Sequence, residues 1–120
     1  SPESVKAALS VLDVQESKRH IAVLGDMLEL GSYAKMAHRE IGEYLHKKNV
    51  NALFTYGLLS KEIALAAEKY IDEIYMFENK AELSYKLAAY LRRGDSVLFK
   101  ASRAMKLEEV IDKIYKEWGV

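Results

Sequence analysis

Short apolar runs alternate with longer segments of helical periodicity along the chain, and this alternation constrains the fold more than any other feature. The apolar runs cover residues 21–24, 52–56, 73–77 and 96–99. Segments with apolar residues at helical spacing follow them at 34–48, 60–70, 80–92 and 105–118, and a first helix is predicted to begin at Ser1-Pro2. Strands that alternate with helices pair in parallel through right-handed crossovers. The sequence therefore predicts an α/β fold with a mostly parallel open sheet and helices on both faces.

Composition indicates one domain and argues against several functions. The chain has 120 residues, of which 50% are hydrophobic, so we expect one domain over residues 1–120. Its 18 basic and 18 acidic residues give no net charge, which argues against a nucleic-acid partner. The absence of cysteine excludes disulfides, a thiol nucleophile and cysteine-ligated zinc, and is compatible with the cytoplasm. Membrane insertion is not expected, because no apolar run approaches the roughly 18 residues that a span requires.

The sequence predicts neither a metal site nor a triphosphate loop. The three histidines, His20, His38 and His46, do not share the four-residue spacing of a helical zinc site. We expect His38 to be a surface or half-buried residue, and His20 and His46 have even less claim to a site. The P-loop spacing, Gly-x-x-x-x-Gly-Lys-Ser/Thr, does not occur in the chain. We therefore do not expect this domain to cradle a triphosphate by that route.

A Ser-Arg pair follows the fourth apolar run, where the last helix is predicted to begin. The Ser102 hydroxyl, the planar fork of Arg103 and free amides at a helix start would together suit a carboxylate or a phosphate. The alternative is an exposed Arg103 that forms a salt bridge with Glu108 or Glu109. Lys100, at the end of the strand, points either to the same site or to solvent. The pair predicts an anion site without deciding between these alternatives.

Gly25 and Asp26 follow the first apolar run, at the same predicted edge of the sheet as the Ser-Arg pair. Asp26 should lie in a solvent-facing loop, either as a nucleotide or metal-proximal contact or as a cap that bonds nearby amides. The dinucleotide spacing Gly-x-Gly-x-x-Gly is absent, so Gly25 could serve backbone freedom alone. Tyr56, at the end of the second run, is a further candidate contact.

Several segments resemble one family in its order along the whole chain. They lie at residues 1–9, 22–31, 38–42, 53–57 and 94–106, and include Leu-Gly-Asp-Met-Leu-Glu-Leu-Gly and Ser-Arg-x-Met-Lys. These segments resemble the C-terminal domain of the Mur ligases, and within that family the branch that adds a D-Ala-D-Ala dipeptide. Ala101 and Ala104 depart from the resemblance, because the family usually has glycine at the first position and often at the second.

The resemblance implies a Rossmann-like three-layer sandwich that closes over the active site of a three-domain cytoplasmic enzyme. The implied enzyme uses ATP and magnesium, held mainly by a central P-loop domain, and an N-terminal domain binds UDP-N-acetylmuramoyl-tripeptide. The tripeptide carboxylate is activated as an acyl phosphate, which the amine of D-Ala-D-Ala attacks. The family's ATP-contacting Asp and Asn lie just upstream of the residue that matches Pro2, so we expect an excised domain whose partners are the two missing domains.

The resemblance also assigns roles to residues, none of them catalytic or metal-ligating in this domain. The implied nucleotide contacts are Gly25 and Asp26, and the implied substrate contacts are Tyr56, Lys100, Ser102 and Arg103. Two other interpretations compete with the ligase. A receiver-like signalling module would share Asp26 and Lys100 but lacks an acceptor aspartate at the strands ending in Tyr56 and Phe77. A structural interaction domain without a catalytic role is the other alternative.

Overall fold

Five helices and four strands alternate along residues 1–119, which are the residues that this computed structural model describes. The helices are α1 (Pro2–Asp13), α2 (Ala34–Tyr44), α3 (Lys61–Ala67), α4 (Lys80–Tyr90) and α5 (Glu108–Trp118). The strands are β1 (Arg19–Gly25), β2 (Ala52–Tyr56), β3 (Glu73–Phe77) and β4 (Asp95–Lys100). The predicted alternation is confirmed. No helix in this part of the chain combines the length and the apolar character needed to cross a membrane.

The four strands form one parallel sheet in the order β3-β2-β1-β4. After β3 the chain returns to the far side of β1, so the direction in which strands are added reverses at β1. Leu24 is paired with Lys100 of β4, and Gly25 is paired with Tyr56 of β2, which brings three carboxyl ends together. Open α/β sheets bind ligands beyond the carboxyl ends of the strands at such a reversal. The topology therefore points to this edge as the binding site.

Helices cover both faces of the sheet and bury a core on each. Ala22 and Leu24 of β1 belong to the core beneath α1, α2 and α3, whereas Ile21 and Val23 belong to the core beneath α4 and α5. A strand that is covered on both faces has no polar side to present to water, which explains why β1 is a continuous apolar run. The predicted mostly parallel sheet with helices on both faces is confirmed, and in the described residues it is wholly parallel.

Capping interactions explain where two of the helices begin. The hydroxyl of Ser1 accepts the N–H of Ser4 at 3.3 Å, and Pro2 occupies the first turn, as predicted for α1. The side-chain oxygen of Asn79 accepts the N–H of Glu82 at 2.9 Å at the start of α4. Each cap satisfies a backbone donor that the helix itself cannot pair.

The last helix begins at Glu108 and not at Met105, where the sequence predicts it. Arg103–Met105 form a separate single turn of 3₁₀ helix, and Lys106 has φ +52°, a left-handed conformation that interrupts the helical path. The first amides of α5 therefore do not adjoin Arg103, which begins the 3₁₀ turn instead. Lysine has no particular preference for a positive φ, so the residue pattern alone could not predict that the helical path is interrupted at Lys106.

Candidate functional site

The candidate site lies where the loops after β1, β2 and β4 meet. Gly25 ends β1 against its neighbours so closely that an added Cβ would stand 2.7 Å from the Cβ of Ala101 and 3.4 Å from the carbonyl oxygen of Tyr56. A side chain at this position would push the strand ends apart. Gly25 therefore serves close backbone approach, whether or not a nucleotide also contacts it.

Asp26 lies at this edge as predicted, but it is only 7% exposed and does not face solvent. Its Oδ1 accepts both the N–H of Ser60, at 2.8 Å, and the hydroxyl of Ser60, at 2.6 Å. Ser60 precedes α3, so Asp26 caps the start of that helix from the neighbouring loop. This arrangement agrees with the loop-cap alternative for Oδ1. Within residues 1–119, Oδ2 accepts no hydrogen bond, so it retains its capacity as an acceptor.

Gly57 leaves room for the Asp26 carboxylate. Its φ is +115°, and a Cβ there would lie 2.4 Å from Oδ1 of Asp26. An L-residue at position 57 would thus suffer both backbone strain and a steric clash with the carboxylate. The pair Gly57 and Ser60 shapes the loop after β2 around Asp26. Ser60 was not predicted as a site residue, because its only signal, a serine at the start of a helical segment, is common to many helices.

Ser102 joins the loop after β4 to the loop after β1. Its N–H donates to the carbonyl oxygen of Asp26 at 3.0 Å, and its Oγ accepts the N–H of Leu28 at 2.7 Å. These bonds use the backbone donor of Ser102 and one lone pair of its hydroxyl. The hydroxyl hydrogen is left to donate to a ligand. Ser102 is therefore part of the architecture of the site as well as a possible ligand contact.

His38 is fully buried and bonds to the same loop, contrary to the expected surface or half-buried position. Its Nε2 accepts the N–H of Met27 at 3.0 Å, and its Nδ1 lies 2.7 Å from the carbonyl oxygen of Ala34. This role was not predicted, although the spacing offered a signal, because His38 lies beside Ala37 and three residues before Ile41, on the buried face of α2. His20 is also buried.

The cations at this edge divide into paired and unpaired groups. Lys80 pairs with Glu109, and this hydrogen bond raises the pKa of Lys80 and lowers the pKa of Glu109 from their ordinary values. Arg103 is exposed and forms no ion pair within residues 1–119, so the alternative salt bridge with Glu108 or Glu109 is not present. The Arg103 guanidinium is therefore available to bind an anion at this edge of the sheet.

Lys100 and Tyr56 lie at the carboxyl ends of β4 and β2, the two strands on either side of β1. Lys100 is half-buried at the end of β4 and, in the part of the chain that the structure describes, has no acidic partner. Tyr56 is half-buried at the end of β2 and packs against the core beneath α4 and α5. Across the described range, no three His, Cys, Asp or Glu side chains are close enough to hold a metal ion. The arrangement offers binding contacts, with no activated nucleophile among them.

These features define a Rossmann-like binding domain, a parallel α/β sheet that carries its polar contacts at the strand reversal. The chain belongs to the Mur ligase family, since the family model for the C-terminal "Mur ligase, glutamate ligase domain" matches residues 1–103. The family match argues against the receiver-like alternative. Neither β2 nor β3 ends in the aspartate that such a module would need as its phosphate acceptor. The resemblance inferred from the sequence is confirmed.

Ligases of the same kind appear among both curated relatives and solved structures. The UDP-N-acetylmuramoyl-tripeptide–D-alanyl-D-alanine ligase of Bacillus subtilis is 39% identical over 114 residues, covering 92% of this chain and 25% of the relative. The Buchnera aphidicola (Baizongia pistaciae) ligase of the same name is 35% identical, over 96% of this chain and 24% of its own length. The MurF ligase of Thermotoga maritima, solved in complex with ADP, has a TM-score of 0.80 at 29% identity, over 98% of this chain and 26% of that one. The chain thus spans about a quarter of each relative.

Proposed function

We propose that this chain is the closing domain of an ATP-dependent ligase that joins D-Ala-D-Ala to UDP-N-acetylmuramoyl-tripeptide in peptidoglycan precursor synthesis. The names of the relatives support this reaction, and ADP in the Thermotoga maritima structure supports the nucleotide. The observation that carries the proposal is the uncommitted Arg103 beside the free hydroxyl donor of Ser102. A cytoplasmic location goes with the proposal, because the reaction consumes ATP.

The proposed enzyme divides its work between this domain and others. The acyl phosphate forms when an oxygen of the tripeptide carboxylate attacks the γ-phosphorus of ATP and ADP departs. The amine of the dipeptide then attacks the acyl carbon, and phosphate leaves. The described residues contain no cluster of metal ligands and no P-loop, so Mg²⁺ and the triphosphate would be held by the central domain. The N-terminal domain would hold the UDP-sugar peptide.

This domain would supply side-chain contacts when it closes. Arg103 and the Ser102 hydroxyl are proposed to bind the terminal carboxylate of the dipeptide, with Lys100 adding positive charge. The amides of Met27 and Leu28 already pair with His38 and Ser102, so these two backbone donors are not assigned a ligand contact.

On the nucleotide side, the free Oδ2 of Asp26 is proposed as an acceptor near the nucleotide, and Gly25 would allow the nucleotide to approach the backbone. Tyr56, beside Gly25 on the neighbouring strand, is proposed to contact the substrate. Both assignments require the closed arrangement of domains.

Steady-state kinetics of Arg103 variants in a full-length enzyme that carries this domain would test the proposal. Arg103→Ala should cost roughly 2 to 4 kcal/mol, the loss of two charge-assisted hydrogen bonds, and should appear mainly as a higher KM for the dipeptide. Arg103→Lys keeps the charge and loses the fork, so it should recover only part of the loss. Arg93→Ala, an exposed arginine at the opposite end of β4, is the matched control. Equal damage toward all three substrates would mean that Arg103 serves domain closure and not dipeptide recognition.

A further inference from the structure

One peptide plane in the loop after β1 is held at both of its ends. The carbonyl oxygen of Asp26 accepts the N–H of Ser102 at 3.0 Å, and the N–H of Met27, in the same peptide unit, donates to Nε2 of His38 at 3.0 Å. A peptide unit is planar, so fixing its oxygen and its hydrogen fixes its orientation. The two partners come from opposite sides of the loop, one from the turn after β4 and one from α2.

The contacts of His38 require a single protonation pattern. Nδ1 lies 2.7 Å from the carbonyl oxygen of Ala34, which can only accept, so Nδ1 carries the hydrogen. Nε2 faces the N–H of Met27, which can only donate, so Nε2 carries the lone pair. The ring is therefore a neutral imidazole with its hydrogen on Nδ1. With 0% of the residue exposed, water cannot replace either bond.

The orientation of this peptide sets the positions of two proposed ligand contacts. The Asp26 side chain is attached to the Cα that precedes this peptide plane. The N–H of Ser102 is hydrogen-bonded to the carbonyl oxygen of the plane. A rotation of the plane would break the bond from its oxygen to Ser102 and would change ψ at Asp26, the residue whose carboxylate accepts from Ser60. His38 itself lies on the buried face of α2 and, at 0% exposure, does not touch a ligand.

We propose that His38 is a positioning residue, which orients the Asp26–Met27 peptide and thereby places Asp26 and Ser102 for ligand binding. The proposal rests on the proposed function, because it takes Asp26 and Ser102 as ligand contacts. It assigns no contact with substrate to His38.

Two substitutions distinguish the role of Nε2 as a hydrogen-bond acceptor from the role of the ring in packing. His38→Gln keeps a side-chain oxygen able to reach the Met27 N–H, whereas His38→Leu has similar volume and no acceptor. In the full-length enzyme, His38→Leu should lower kcat/KM for ATP and for the dipeptide by about tenfold, as expected when a buried donor loses its partner, and leave the KM for the UDP-sugar peptide unchanged. His38→Gln should recover most of the loss. His46→Leu and His46→Gln, at an exposed histidine that stacks on Tyr70, are the matched controls.

Nuclear magnetic resonance of the 120-residue chain tests the hydrogen bond without any activity measurement. The ring nitrogen spectrum of His38 should show the hydrogen on Nδ1, and the Met27 amide should exchange slowly in the wild type and in His38→Gln but rapidly in His38→Leu. If His38→Leu does not fold, His38→Asn replaces it, because asparagine can still donate to Ala34 but is too short to reach Met27. A hydrogen on Nε2, or a Met27 amide indifferent to these substitutions, would overturn the proposal.

The two proposals can fail separately. If a folded variant releases the Met27 amide but keeps wild-type kcat/KM for every substrate, His38 has a structural role only, and the positioning proposal fails. The proposed function would still stand if Arg103→Ala weakens dipeptide binding. If Arg103→Ala has no effect while His38→Leu lowers kcat/KM for ATP and His38→Gln restores it, the dipeptide assignment fails and the positioning of Asp26 is supported.

Discussion

At the scale of single residues, the surroundings of a side chain determine its burial and its hydrogen-bond partners. The sequence suggests that Asp26 is a loop acid in contact with water, yet the structure buries it and bonds its Oδ1 twice to Ser60. Gly57 completes this arrangement, because its missing Cβ leaves the volume that the carboxylate occupies. A glycine that the sequence presents only as a strand terminator thus leaves room for a buried acidic side chain.

Two glycine substitutions test this account. Gly57→Ala should destabilise the chain by roughly 2 to 4 kcal/mol, because a strained φ and a steric clash add together. Gly31→Ala is the matched control: its φ is +58° and nothing lies within 4 Å of the added Cβ. It should cost only about 1 kcal/mol for the left-handed backbone. Urea denaturation of the purified chain measures both values. Equal costs would show that the Asp26 carboxylate moves away without penalty.

At the scale of secondary-structure elements, one ion pair ties β1 to β4 and α4 at the amino ends of the strands. Nε and Nη2 of Arg19 donate to the two carboxylate oxygens of Asp95 at 2.9 and 2.7 Å, and Nη2 also donates to the carbonyl oxygen of Tyr90. The Asp95 side chain is 3% exposed and accepts the N–H of Arg92 at 2.8 Å. Burial alone would raise the pKa of Asp95, but hydrogen bonds from Arg19 and Arg92 outweigh it and lower that pKa.

This pair predicts a stability that depends on pH. The folded chain binds the Asp95 proton less readily than the unfolded chain does, so the contribution of the pair is complete above the unfolded pKa of about 4 and is lost as the pH falls through the lower, folded value. Asp95→Asn should cost about 3 kcal/mol at pH 7, because Arg19 would lose its charged partner. The cost should shrink in acid.

Urea denaturation at pH 7 and pH 3 measures this dependence, with Asp72→Asn as the control at an exposed aspartate. The difference between wild type and Asp95→Asn should be smaller at pH 3 than at pH 7, because pH 3 lies below the unfolded pKa of about 4. A difference that does not change with pH would contradict the assignment of Asp95 as an ionised, bonded carboxylate.

At the scale of the whole molecule, the chain is one parallel α/β sheet covered by helices on both faces. It spans about a quarter of the ligases it resembles, and its described residues contain neither a metal cluster nor a P-loop. Its two cores, one on each face of the sheet, account for its folding, and its free side-chain contacts lie at one edge. In the proposed enzyme, this edge would contact ligands that the other domains hold.

The 120-residue chain alone should have neither ATPase nor ligase activity, because the triphosphate and the acyl phosphate would be handled elsewhere in the proposed enzyme. Phosphate release from ATP, measured with the purified chain, is the test. A full-length enzyme provides the positive control in the same assay. Turnover above background that disappears in Asp26→Ala would contradict the division of work between domains.

The sequence by itself determined the class of fold and the edge at which the site lies. Apolar runs and helical spacing are local patterns, set by residues within a few positions of one another, and they sufficed to predict the parallel α/β sheet. Because parallel strands end at the same edge, Gly25, Asp26 and Ser102 could also be placed together in advance. The family resemblance, which rests on specific segments, was likewise available from the sequence.

Only the tertiary structure decided how these residues meet. Strand order depends on packing between distant segments, and by placing β4 beside β1 it set Ser102 against Asp26 and Leu28, although 74 residues separate the serine from Leu28. The bonds from Asp26 to Ser60 and from His38 to Met27 likewise cross between elements. The local spacing of residues does not predict such contacts, because they form only when distant segments pack together and exclude water.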